Sequence, residues 1–137
     1  MIYYFLIPVI FCMILSLKSL FSPLHMIDRH LTLRNFLWLA LLYSTVTIGF
    51  GMIYLLLELE NYTVLLEMGQ HLQGTYFYKL QTAIYFSSIT FFSVGYGDLS
   101  PVGIGRMIAA VQAFIGYTLP AAFVVRSVFY MEPPDKR

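Results

Sequence analysis

The chain has 137 residues, of which 59% are hydrophobic and only 11% charged; soluble domains carry about 25% charged residues. A mean hydropathy of +0.75 leaves too little polar surface to cover a water-soluble particle of this size, so the lipid bilayer is the expected surrounding partner. The net charge of +1 provides no basic stripe, which excludes a nucleic-acid partner, and the single cysteine, Cys12, excludes an intrachain disulfide framework.

Residues 1–17 form an uncharged run containing Pro8. The run is slightly short of the roughly 20 residues that span a bilayer. It lacks the basic n-region and small-residue cleavage site of a signal peptide, so an uncleaved, membrane-embedded N-terminal hydrophobic helix is expected. A proline is tolerated there when neighbouring helices satisfy the freed backbone groups. Lys18, Arg29 and Arg34 follow, and Leu24, Ile27 and Leu31 recur at helical spacing. Residues 18–34 therefore read as cytoplasmic by the positive-inside rule, with 22–34 as either an interfacial helix or an ordinary polar connector. Together, residues 1–34 form one N-terminal unit.

Residues 35–57 carry no charge and are the best spanning candidate. The stretch 58–81 holds Glu58, Glu60 and Glu67 and reads as a solvated outer segment. Asn61-Tyr62-Thr63 is a glycosylation sequon within it. Residues 80–97 are again uncharged, yet a third crossing is excluded twice over. It would put the acidic outer segment and the basic C-terminus on inconsistent sides. It would also end in Ser93-Val94-Gly95-Tyr96-Gly97-Asp98, whose alternating glycines suit a helix interior poorly.

A re-entrant hairpin fits better: a half-span helix over 82–92, an extended segment over 93–98, and a return to water. The last helix is expected over 105–131, ahead of a cytoplasmic tail at 132–137. Irregular backbone at membrane depth is tolerated only where protein buries it or a water-filled cavity adjoins it. Glycines at 95 and 97 can adopt left-handed backbone angles at little steric cost, which lets the carbonyls of 93–97 turn to one side. Several copies around an axis would stack those oxygens into rings able to hold a dehydrated cation.

Thr90-Phe91-Phe92-Ser93-Val94-Gly95-Tyr96-Gly97-Asp98 resembles the signature T-x-x-T-V-G-Y-G-D of the potassium channel pore-domain family. The resemblance covers about residues 35–131. It implies an all-α membrane protein: an outer helix, a re-entrant pore helix with an extended selectivity filter, and an inner helix. The N-terminal helix is additional to this plan. The implied function is passive, potassium-selective conduction by a homotetramer, with potassium as permeant ion and no cofactor. Its rivals are a relaxed-selectivity cation channel, a potassium uptake subunit or a non-conducting modulatory subunit.

By that resemblance, carbonyls of Ser93, Val94, Gly95 and Tyr96, ahead of Gly97, coordinate the ion. Asp98, Tyr85 and Thr90 support the filter. Gly116 falls at the family's usual hinge position and Pro120 follows one turn later, a turn able to bend; the stripe Ala113, Gly116, Pro120, Val124 reads either as lining the pore or as helix-packing surface. Three departures stand out: Ser93 for the usual threonine, Ile89 where some relatives carry glutamate, and Ser100 where an aromatic ring is common. No regularly spaced arginine helix reads as a voltage sensor, so the expectation is either a constitutive or membrane-gated pore or gating input from a regulatory subunit or domain outside this chain. No nucleophile–base pair or phosphate loop is present, and His25, His30 and His71 lack metal-ligand spacing, so no enzymatic activity is expected. The implied location is a plasma or bacterial inner membrane, multi-pass, with a cytoplasmic C-terminus.

Overall fold

The computed structural model describes residues 2–21 and 33–129. The interfacial helix or connector expected over 22–34 and the tail at 132–137 lie outside the described residues, apart from the first residues of the second helix. Among the described residues there are four helices: α1 (Ile2–Phe21), α2 (Leu33–Leu59), α3 (Tyr76–Phe91) and α4 (Ile104–Phe129). Three short strands accompany them: β1 (Leu65–Glu67), β2 (Gln70–His71) and β3 (Leu99–Pro101). Among the described residues, Leu39–Leu59 is the one segment long and apolar enough to cross a membrane; the apolar part of α1, Leu6–Leu15, is shorter.

α2 is apolar along most of its length, and two of its hydroxyls bond back to its own backbone. Ser44 donates to the carbonyl of Ala40 at 2.9 Å and Thr45 to that of Leu41 at 2.8 Å. Such back-bonding removes the penalty of a free hydroxyl in an apolar setting. α1 packs against α2, with Met13 over Gly49. The opposite face of α1 leaves Tyr4, Ile7, Phe11 and Ile14 exposed.

The core lies between α2, α3 and α4. Val46, Tyr54, Leu55, Val64, Leu65 and Ala83 are wholly buried there, and Tyr54 meets Phe86 edge to face at 5.0 Å between ring centroids. Edge-to-face contact is the geometry that ring quadrupoles favour.

Two sequence expectations are corrected. The fold is not all-α, because the outer segment and the residues after 98 form a three-stranded antiparallel sheet in the order β2-β1-β3. Met68 and Gly69, both at positive φ (48° and 80°), join β1 to β2; two such residues make the tight turn whose twist matches a hairpin. β3 pairs with β1 in the register Leu65↔Pro101, Leu66↔Ser100, Glu67↔Leu99. The alternation in such short strands is too brief to read from sequence.

The second correction concerns α3, which starts at Tyr76, six residues before the expected 82. Thr75 is its N-cap, in extended conformation with φ −66° and ψ 160°, and its side chain accepts from the Tyr78 amide. Such a cap satisfies one of the free donors of the first turn.

Candidate functional site

The site is built where α3 ends. Phe92 closes the helix, donating its amide to the Ser88 carbonyl at 3.0 Å. Ser93 then takes φ +57° and donates to the Thr90 carbonyl at 3.1 Å, while Val94 donates to the Ile89 carbonyl at 2.8 Å. This pair of bonds is the left-handed helix cap normally built on glycine. Gly95 adds a second donor to the same Ile89 carbonyl, at 3.2 Å. The half-buried Thr90 thus supports the turn through its backbone, and Ile89 is buried.

Beyond the cap, positive φ recurs at every second residue: Ser93 at 57°, Gly95 at 56° and Gly97 at 84°. Alternation of this kind turns successive carbonyls toward one side, as the glycine spacing predicted. Among the described residues, no backbone or side-chain donor reaches the carbonyls of 93–97. This segment and its side chains, Val94 and Tyr96 included, are exposed on the single chain. It is not a paired strand: pairing begins only at Leu99.

The exit of the segment is tied to the outer sheet. The Met68 amide donates to the Asp98 carbonyl at 3.0 Å, directly before β3 joins β1. Tyr85 on α3 and Asp98 face the same pocket. Asp98 Oδ1 is buried without a partner among the described residues. Glu67, Tyr78, Gln81 and Thr82 line the pocket with them. In that pocket the Tyr78 hydroxyl donates to Glu67, 2.7 and 2.8 Å from its two oxygens. The sequence pairing of Asp98 with Tyr85 therefore corresponds to a shared pocket.

The chain matches the family model described as "Ion channel" over residues 53–132. The chain belongs to this ion-channel family. The family match makes it a membrane protein and agrees with the potassium channel pore-domain signature at residues 90–98. The chain is similar to Protein LctB of Geobacillus stearothermophilus, 38% identical over 114 residues, which cover 83% of this chain and 85% of that protein. It is 35% identical to Protein LctB of Bacillus caldotenax over the same shares of both chains. No solved structure matches.

Within this ion-channel fold, the four inner-helix residues singled out from sequence do not share one environment. Ala113 is half-buried, Gly116 buried and Pro120 exposed, and the side chain of Val124 lies outside the described residues. Gly116 lies against the carbonyl of Phe91, where a Cβ would stand only 3.0 Å from the Phe91 carbonyl carbon. It is a close-approach point between α4 and the end of α3. α4 continues as one helix through Gly116 and Pro120.

Glu58 needs a correction too. Far from forming a solvated face, it is 8% exposed and accepts the amides of Val64 at 2.8 Å and Leu65 at 2.9 Å. Two amides at the start of β1 outweigh the pull of water on the carboxylate, because they would otherwise be buried without acceptors.

Sequence reasoning missed one further group. Gln112 on α4 is fully buried and accepts from the Tyr54 hydroxyl of α2 at 3.0 Å. Its amide nitrogen lies 2.8 Å from the Ser87 carbonyl and 2.7 Å from the Ser87 hydroxyl, both on α3. Ser87 in turn donates to the Thr47 carbonyl of α2 at 2.7 Å. The available signal was Gln112 itself, the one carboxamide in the uncharged run 107–125; a polar residue in such a run requires partners.

Proposed function

We propose that this chain is a subunit of a potassium-selective channel that conducts passively as a homotetramer. Four copies of residues 93–97 around a common axis would oppose their carbonyls, and potassium would exchange its hydration shell for those oxygens. The observation that carries this reading is the left-handed alternation at Ser93, Gly95 and Gly97, with carbonyls that no donor among the described residues engages. Backbone acceptors without partners at membrane depth cost several kcal/mol each, and a coordinated cation relieves that cost. The exposed Val94, Tyr96, Phe114 and Tyr117 supply apolar surface for contact between subunits.

α2 and α4 form the outer and inner spans in this proposal, with α3 re-entrant and the C-terminus cytoplasmic. The apolar outer face of α1 meets lipid as an additional peripheral helix. The test is potassium flux into liposomes containing the purified protein, with sodium as the competing ion and cross-linking to count subunits. Potassium-driven flux from a tetramer supports the proposal. Equal sodium flux would favour a relaxed-selectivity channel, and no flux a modulatory subunit.

A further inference from the structure

α4 touches α3 at two positions one helical turn apart. Gln112 engages Ser87 through two hydrogen bonds, and Gly116 abuts the Phe91 carbonyl. Ser87 and Phe91 are themselves one turn apart on α3, so the two contacts form matched rungs between the helices. The second rung lies two residues before Ser93, where the left-handed segment begins.

The carboxamide at 112 has both its functions used. Its oxygen accepts from Tyr54, and its nitrogen donates to Ser87. No apolar side chain of similar size can replace those bonds, and burying a carboxamide without them is costly. Shape alone, then, does not account for glutamine here. The network also orients Ser87, whose hydroxyl passes a hydrogen bond on to Thr47 and so ties α2 to the same point.

We infer that Gln112 is a positioning residue for the ion-selective segment: by holding Ser87 it fixes the last turn of α3 on α4, and with it the placement of the Ser93 carbonyl. This inference rests on the potassium-channel proposal. Gln112 touches no ion. It acts through Ser87 and the turn that follows, so displacement of α4 would be felt at the entrance to the segment.

The experiment compares reversal potentials under potassium/sodium exchange for wild type, Gln112→Met, Ser87→Ala and Tyr54→Phe in planar bilayers, each first checked for tetramer size. Gln112→Met is expected to lower the permeability ratio by about tenfold, the scale of one buried hydrogen bond. Ser87→Ala should lower it less, because the Ser87 carbonyl still accepts from Gln112. Tyr54→Phe leaves both Gln112–Ser87 bonds in place and should change the ratio by less than about twofold. If Gln112→Met fails to assemble, Ser87→Ala decides the matter, and an unchanged ratio in that variant overturns the inference. An assembled Gln112→Met with the wild-type ratio overturns it as well, as does a Tyr54→Phe loss equal to that of Gln112→Met, which would mark a general core role. A wild type that does not discriminate between the ions refutes the channel-selectivity reading itself.

Discussion

The carboxylate of Glu58 holds the amide of Val64 at 2.8 Å, and this bond turns the chain from α2 into the outer sheet. The same oxygen accepts the Leu65 amide, and the next residues, as β1, pair with β3 just after Asp98. The outer helix thus reaches the exit of the 93–97 segment through one buried side chain and one strand.

Glu58→Ala is therefore expected to destabilise the protein by about 3 kcal/mol, since two buried amides lose a charged acceptor. Glu60→Ala, at an exposed position, should stay within about 0.5 kcal/mol. Thermal unfolding of the two variants in detergent checks this. Equal effects would mean that Glu58 does not carry the turn.

Gly116→Ala is expected to cost about 1–3 kcal/mol through overpacking, because its Cβ meets the backbone of Phe91. Gly49→Ala offers the contrast. Its Cβ would meet only the flexible end of Met13, which can move aside, so stability should change by under about 1 kcal/mol. Thermal stability of the purified protein distinguishes this packing role from a hinge role, for which Gly116→Ala would alter open probability and leave stability intact.

Tyr85→Phe removes the phenol that faces Asp98 and should speed the decay of current during sustained recording. An unchanged decay rate in the variant would remove Tyr85 from the account.

Gly95→Ala separates conformation from crowding. No atom lies within 4 Å of the Cβ it would add, yet φ is +56°. The substitution should cost about 1–2 kcal/mol through the left-handed backbone alone. Conduction should be lost while the chain still folds and assembles, as read by chromatography and single-channel recording.

The sequence made the 93–97 segment legible because its chemistry is local: two glycines at alternate positions, in an apolar run too awkward for a helix, leave few conformations open. Asp98 and Tyr85 were legible through the family signature. Glu58 was not, because an acidic residue next to an apolar span reads as solvated, and only the return of β1 shows what it binds. Gln112, Ser87 and Tyr54 lie far apart in the chain, and only the packing of three helices unites them. Gly116 was legible as a special position in the last helix, but its close approach to the Phe91 carbonyl emerges only from the packing of α4 on α3.

The central claim is that residues 93–97 select potassium. Its most direct measurement is the reversal potential of the reconstituted wild-type channel with potassium on one side of a bilayer and sodium on the other. A reversal potential close to the potassium equilibrium value is predicted. A value near zero, with substantial sodium current, would contradict the account.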